Sequence, residues 1–580
     1  MHSKSIHAVR AVRVLILAAG FVAGGVHAQA TGDASAERVA AEVVGASRPA
    51  EAAQRRAHHQ RPKLVVGLMV DQMRYDYLYR FWDQYGDGGF RRLLDQGFSF
   101  DNAHLDYAPP FTGPGHASVY TGTTPSVHGI IANQWYLRGE GRSTYVTADD
   151  GVEPVGSEGA AGRMSPRWLL ASTLSDELVL HSNGRSKAVA VALKDRGSIL
   201  PAGRLGDAYW FDADTARMIT SSHYMDALPE WAEAFNAREL AAQYLAEPWE
   251  TLLPIEQYEA SLPDDNPYEF RFSRTFPHDV PAMAAQQGLQ VLQYTPRGDT
   301  FTFDFARAAI AGEGLGQDEH TDLLAISLSS PDYIGHAYAP ASVEVQDTYL
   351  RLDREIEAFL DHLDRQIGLD EVVVFLTADH GAAHNPVYVQ DLGFPAEYYI
   401  ADEIADRLRT FLDEQHGEGM GETLLLSFSN NQVFLDHEVM AEHGLAHEDL
   451  EASVIRYLLR DEAGVVGALG ATTLDRMEFR EGIRRRVQHG HHQQRSGDVV
   501  VWFRPQWLPR FRDPTGTTHA SVYSYDNRLP LIFFGWDIPA GRSASHVGVA
   551  DIAPTVSIIM NTPFPSSTTG RPLQDLIYDR

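Results

Sequence analysis

Apolar positions along the chain alternate between two patterns. Four short, nearly continuous runs read as strands buried on both faces: KLVVGLMV from Lys63, KAVAVAL from Lys187, DLLAISL from Asp322 and EVVVFLT from Glu371. Between them lie segments of helical period. One is PRWLLASTLSDELVLHS; the other is VEVQDTYLRLDREIEAFLDHLDRQIG, where Leu350, Ile356, Leu360 and Leu363 share a face. Strands alternating with helices predict an α/β fold around a mostly parallel sheet covered on both sides. Later, GDVVVWFRPQW and LPLIFFG add strands and ADIAPTVSIIM a final helix. Two stretches break the pattern. Residues from about 200 to 300 are rich in Trp, Tyr, Pro and Glu, and residues from about 396 to 490 are weakly patterned. Both are expected as insertions within a catalytic domain over 63–580, the first covering its mouth.

Ahead of the first strand, Arg10 and Arg13 precede the apolar run VLILAAGFVAGG, which ends at VHAQA with Ala28 and Ala30. That grammar is a secretory signal peptide over residues 1–30. Residues 31–62, rich in Ala, Glu and Arg, are expected as a poorly ordered lead-in. No later stretch reaches roughly 18 uninterrupted apolar residues. The expected product is a periplasmic or secreted monomer with no stable membrane association.

Charge narrows the partners. A formal net charge of −30 argues against nucleic acid or an anionic membrane as the main partner. An anionic substrate would need local positive charge, such as metal ions. The chain has no cysteine, which excludes thiol nucleophiles and thiolate metal sites. Any transition-metal site must use His, Asp and Glu.

Those residues gather where the runs stop. The first ends at Asp71, the second at Lys194 and Arg196, the third leads to Asp332 and His336, and the fourth to Asp379 and His380. In open parallel sheets the ligand crevice lies outside the carboxyl ends of the strands, so these groups are expected to meet. TGTTHASVYSYDNRLPL adds His519 in a polar turn. Three Asp and three His offer two three-ligand sets of oxygen and nitrogen donors, a pattern that suits Zn²⁺. On a regular strand Lys194 and Arg196 would face the same side. QHGHHQQ (Gln488 to Gln494) has no carboxylates at fixed spacing and reads as a solvated loop. Thr112 opens FTGPGHASVYTG, where a loop enters a helix start; taken alone it reads as an ordinary N-cap.

Taken together and in order, VDQMRYDY, FTGPGHASVYTGTTPSVHGIIANQWY, LKDRGSILPAG, SSPDYIGHAY, TADHGAAHNP and GTTHASVYSYDNRLPL resemble the alkaline phosphatase superfamily. The likeness is to the bacterial secreted, phosphate-irrepressible type that uses a threonine nucleophile, and it covers about residues 63–575. The resemblance implies a three-layer sandwich with inserted cap segments and two Zn²⁺ per chain. One ion would be bound by Asp332, His336 and His519, the other by Asp71, Asp379, His380 and the Thr112 hydroxyl. Asn133, Lys194 and Arg196 would hold the phosphoryl oxygens. It implies hydrolysis of small-molecule phosphate monoesters through a phosphothreonine. Ala520 departs from the pattern, standing where a glycine is frequent. The alternatives are a phosphodiesterase or nucleotide pyrophosphatase of the same superfamily, and an inactive binding protein on the same scaffold. The formylglycine of sulfatases would need the missing cysteine.

Overall fold

A computed structural model describes residues 61–269, 272–510 and 515–577. The expected signal peptide and all but the last two residues of the lead-in lie outside them. Among the described residues the main sheet has ten strands. They are β1 (Leu64–Val70), β2 (Phe98–Phe100), β3 (Pro154–Val155), β4 (Ala188–Ala192), β5 (Asp207–Asp212), β6 (Arg217–Ser221), β7 (Asp322–Leu328), β8 (Val372–Thr377), β9 (Leu531–Gly535) and β10 (Gly541–Ser543). Their order across the sheet is β10-β2-β9-β8-β1-β7-β4-β5-β6-β3. The inner five, β8-β1-β7-β4-β5, are parallel. Antiparallel β9 and β6 flank them.

Every residue of β1, β4, β7 and β8 is buried, which is why each shows as an unbroken apolar run. Register then positions the site. Val70 lies opposite Leu328, Met69 opposite Thr377, and Ser327 opposite Ala192. Four carboxyl ends therefore finish nearly level, and the residues just past them share one crevice.

Four helices frame that crevice: α1 (Thr112–Thr121), α2 (Asp195–Ala202), α3 (Ser330–Tyr338) and α4 (Val343–Gln366). The long α4 starts where the Ser342 hydroxyl accepts the Val345 N–H, and it buries Leu350, Ile356, Leu360 and Leu363. Each such side chain contributes roughly 1.5–3 kcal/mol on burial. The helix expected across PRWLLASTLSDELVLHS is confined to Leu174–His181, because Thr173 and Asp176 form a capping box that starts it there.

Both irregular stretches differ in extent from the sequence expectation. Residues 207–221, inside the expected 200–300 insertion, are β5 and β6 of the main sheet. Tyr209 and Trp210, whose aromatic character suggested a cover, are buried sheet core. In the second stretch Leu425–Ser429, Gln432–Leu435, Val465–Gly470 and Val499–Phe503 form a separate antiparallel sheet. Its own apolar cluster includes Leu408, Leu424, Val454 and Leu458. This unit takes in the 499–503 strand and reaches Trp507–Pro509, which pairs with Glu397–Tyr399.

One buried group sets an acid limit on stability. The Ile130 N–H donates to His128 Nδ1 at 3.1 Å, so Nε2 carries the proton and donates to Ser118 Oγ at 3.0 Å. A second proton would have to displace the Ile130 bond, and burial pushes the imidazole down to about 3. Its contribution is thus whole above about pH 6.5, where the unfolded chain is also neutral, and drains as pH falls toward 3. The loss approaches about 4 kcal/mol at the acid end. His128→Asn, which keeps an acceptor for Ile130, is expected to flatten the pH dependence of unfolding between 6.5 and 4. Denaturant melts followed by circular dichroism check this.

Candidate active site

Past the level strand ends, Asp71, Asp332, Asp379, His336, His380 and His519 converge with Lys194. Asp332 and His336 lie four apart on α3, and the His336 Nε2 is 3.1 Å from Asp332 Oδ1. His380 Nε2 lies 3.4 Å from Asp71 Oδ1 and 3.6 Å from Asp379 Oδ2. Donor atoms of Asp332, His336 and His519 lie within 4.8 Å of one another, and so do those of Asp71, Asp332 and His380. The second group differs from the set implied by resemblance, with Asp332 where Asp379 was expected. Lys194 Nζ donates to Asp71 Oδ2 at 2.6 Å and to Asp332 Oδ2 at 2.5 Å. Asp332 thus stands between the two groups.

All three imidazoles are oriented the same way. His336 Nδ1 donates to Thr517 O at 2.8 Å, His519 Nδ1 to Pro110 O at 2.9 Å and His380 Nδ1 to Gly381 O at 3.0 Å. A carbonyl can only accept, so each Nδ1 holds a proton and each Nε2 points inward at carboxylates. Burial opposes a charge on His336 but Asp332 outweighs it and raises that ring, whereas burial pushes His380 and His519 down, so their Nε2 lone pairs face carboxylates. Two electron-rich acceptors at such distances need a positive charge between them. His380 Nε2, Asp71 Oδ1 and Asp379 Oδ2 are buried without hydrogen-bond partners. This donor set fits divalent cations, and backbone carbonyls that fix the ring tautomer are a usual support for histidine ligands.

Charge follows the same geometry. Burial works against the Lys194 ammonium, but Asp332 and Asp71 outweigh it and hold it charged. Burial would raise Asp332, yet His336 and Lys194 keep it well below the ordinary carboxylate range. Burial and the neighbouring Asp71 push Asp379 well up. Burial, His380 and His336 push His519 well down.

A cavity of about 490 Å³ opens over this cluster, lined by Phe111, Asn133, Lys194, Arg196, His336 and His519, among others. Asn133 Oδ1 accepts the Gly113 N–H at 2.8 Å, which leaves the Asn133 amide NH₂ as a donor. Arg196 Nη1 donates to the Tyr145 hydroxyl at 2.8 Å, and that hydroxyl donates to Asp195 Oδ1 at 2.7 Å. Lys194 and Arg196 do not share a strand face. Lys194 is the extended N-cap of α2, and Arg196 lies in that helix's first turn. Lys194 therefore reaches the carboxylates while Arg196 turns toward Tyr145.

Thr112 is not the N-cap of α1. Phe111 holds that position, with no side-chain capping bond, and Thr112 is the first helical residue, buried beside the cluster. Gly113, Pro114 and Gly115 lie in the start of the helix, where Pro114 gives up a dispensable N–H. Gly115 permits the close approach to the cluster, since a Cβ there would meet Asp379 Cβ at 2.5 Å. His116 Nδ1 donates to Thr112 O at 2.9 Å and its Nε2 pairs with Ser327 Oγ, so it braces the helix start.

Sequence reasoning missed Gln72. Its φ of 65° turns it into the left-handed region. From there its N–H donates to Asp379 Oδ1 at 3.1 Å and its side chain to Asp332 Oδ1 at 2.6 Å. A side-chain carbon at Gly335 would strike Gln72 Oε1 at 2.0 Å, so that glycine makes the room. Only the position directly after Asp71 hinted at such a role. Ala520 has φ of 92°, the conformation for which a glycine is suited. The expected solvated loop QHGHHQQ is partly packed instead. It begins as the end of a helix, Gly482–Gly490, and His491 is buried.

Known proteins resemble the chain over most of its length. The family model for type I phosphodiesterase / nucleotide pyrophosphatase matches residues 65–523. The chain is 42% identical over 525 residues to a Myroides odoratus protein named calcium-transporting ATPase, spanning 89% of this chain and 95% of the relative. It is 41% identical over 523 residues to alkaline phosphatase PafA of Elizabethkingia meningoseptica, with the same coverage. The PafA crystal structure matches with a TM-score of 0.85 at 40% identity, over 89% of this chain and 99% of that one. A PafA variant substituted at one threonine, one asparagine, one lysine and one arginine matches with a TM-score of 0.84 at the same identity and coverage. With the alkaline-phosphatase fold, this buried cluster and relatives spanning nine-tenths of its length, the chain belongs to the type I phosphodiesterase / nucleotide pyrophosphatase family of the alkaline phosphatase superfamily.

Proposed function

We propose that this chain is an alkaline phosphatase that hydrolyses phosphate monoesters through Thr112. The carrying observation is the set of three Nδ1-anchored histidines turned onto three buried carboxylates beside the start of α1. Asp332, His336 and His519 would hold one zinc ion; Asp71, Asp379, His380 and the Thr112 hydroxyl would hold the other. When bound, such ions supply Lewis acidity to the hydroxyl and to the leaving oxygen.

The chain's own groups do the rest. Thr112 Oγ1 attacks phosphorus in line, the ester P–O bond breaks, and the alcohol departs opposite, leaving a phosphothreonine. Water then attacks from the vacated side and the P–Oγ1 bond breaks, releasing phosphate and restoring the hydroxyl. The Asn133 amide and the Arg196 guanidinium grip the phosphoryl oxygens, Arg196 held in place by Tyr145. Three carboxylates against Lys194 and Arg196 leave the bare cluster negative on a chain already at −30. A phosphate dianion is repelled by that balance and attracted once divalent cations reverse it.

The four residue types altered in the PafA variant, in the same order as Thr112, Asn133, Lys194 and Arg196, support these roles. ATP hydrolysis, the activity in the Myroides relative's name, is likewise phosphoryl transfer to water. Among the described residues no helix is long and apolar enough to cross a membrane. We read the protein as periplasmic or secreted, on the signal-peptide pattern of residues 1–30, and as a monomer.

The test is a panel of an aryl phosphate, its methyl diester and the aryl sulfate. The monoester is expected to have the highest kcat/KM; a faster diester would hand the function to the phosphodiesterase reading. Chelation is expected to abolish activity, Zn²⁺ to restore it, and Mg²⁺ alone to fail, because imidazole donors favour the softer ion.

A further inference from the structure

We propose that His437, His447 and Asp498 form a further divalent-metal site of the zinc class on the inserted four-stranded sheet. It is separate from the phosphatase cluster and shares no residue with it. The three come from three elements. His437 opens the helix His437–Glu442, His447 opens the helix His447–Asp461, and Asp498 directly precedes the strand Val499–Phe503. Their donor atoms lie within 4.8 Å of one another.

The hydrogen bonds sort the atoms into ligands and supports. Asp498 is almost fully buried, and its Oδ2 is fully engaged, accepting from Arg138 Nη2 and the Leu435 N–H, both at 2.6 Å. That leaves Oδ1 for the histidines, with His437 Nε2 at 2.7 Å and His447 Nε2 at 3.0 Å. Behind His447, Nδ1 faces the buried Glu451 Oε1 and the Thr472 hydroxyl, each at 3.4 Å. Glu451 is held in that position by the Thr472 N–H. Without metal, both Nε2–H groups donate to Asp498 Oδ1, because a carboxylate only accepts. A divalent cation would displace those two protons and be held by the same three atoms, the carboxylate behind His447 Nδ1 taking the proton on that side. An imidazole backed by a carboxylate is a usual arrangement for a histidine that binds zinc. Two imidazoles and one carboxylate, with both rings partly open to solvent, match a three-ligand zinc site that keeps a position free.

The ion would also have mechanical work. Arg138, tied to Asp498, directly follows the strand Gln134–Leu137, and that strand starts next to Asn133. Asn430 of the same inserted unit donates to Gln134 O at 2.7 Å. A metal at this point would fasten two helices and a strand of the insertion where it meets the hairpin leading from the substrate-side asparagine.

The experiment compares wild type with the double variant His437→Gln, His447→Gln, which keeps side-chain donors toward Asp498 but lacks imidazole ligands. Both full-length proteins are equilibrated with Zn²⁺, freed of excess metal, and measured by mass spectrometry of metal content per chain. The double variant is expected to hold one zinc fewer than wild type, with aryl phosphate turnover at saturation within about twofold. Zinc-dependent protection from hydrogen exchange over residues 437–447 is expected in wild type and not in the variant. Should the double variant fold poorly, His437→Gln alone carries the same comparison. Equal zinc content in wild type and variant, or exchange over 437–447 that ignores Zn²⁺ in wild type, overturns the site.

Discussion

Thr112→Ala is expected to lower kcat/KM for an aryl phosphate by on the order of 10⁴- to 10⁶-fold, the scale of losing a covalent nucleophile. The substitution isolates chemistry from architecture because of where the residue sits. Phe111, not Thr112, is the N-cap of α1, and the first helical bond runs from the Gly115 N–H to Phe111 O. Neither uses the threonine side chain. Alanine, moreover, is the best helix former. The melting temperature is therefore expected to stay near wild type. Zinc content should also stay close, because the three carboxylates and three imidazoles remain. Thr112→Ser keeps a primary hydroxyl at the same point and should retain substantial turnover. Kinetics, thermal melts and metal analysis on the three proteins check this together. Full activity in the alanine variant would remove Thr112 from the mechanism.

Lys194→Ala and Arg196→Ala are expected to part ways, although only Asp195 separates the two residues in the chain. Lys194 Nζ lies between Asp71 and Asp332, whereas Arg196 pairs with Tyr145 at the cavity wall. Removing Arg196 should take away a charge-assisted grip on the phosphoryl group, about 1.5–3 kcal/mol, and so roughly 10- to 150-fold in kcat/KM. Its zinc content should not change. Removing Lys194 takes a buried cation from between two carboxylates. That should make the cluster more negative, so zinc should be harder to strip with a chelator while a dianionic substrate is handled worse. The double variant should lose much less on a methyl diester, whose single charge and second substituent exploit these groups less. Equal losses on both esters would show that neither residue selects monoesters. Easier loss of zinc from Lys194→Ala would mean that the lysine holds the ligands in shape more than it competes with the ions.

The inner strands and the polar groups at their ends were legible because burial on both faces leaves an unbroken apolar run with an abrupt stop. Asp71, Asp332 and Asp379 each fall just past such a stop. What stayed hidden depends on direction rather than position. Lys194 and Arg196 were expected on one strand face, but the chain turns into α2 between them and sends the two charges apart. Gln72 reaches Asp332 only because its backbone is left-handed, a property that glutamine does not announce. Tyr209 and Trp210 resembled the aromatic content of a cover, yet they extend the sheet, since a large aromatic fits a buried strand as well as a lid. His437 and His447 sit ten positions apart, with Asp498 far beyond, and no local spacing joins them.

The placement of Lys194 bears on the order in which the enzyme matures. Three carboxylates buried together, with nothing to offset them, would oppose folding until metal arrived, as happens in small zinc domains that are unfolded when empty. Here one ammonium lies between two of the three and offsets one of their charges within the chain itself. Burial leaves Asp379 favouring its proton. The empty protein thereby carries less net negative charge at its centre than three bare carboxylates would, and assembly need not wait for zinc. A chain built this way can fold first and collect its ions afterwards, wherever it meets them.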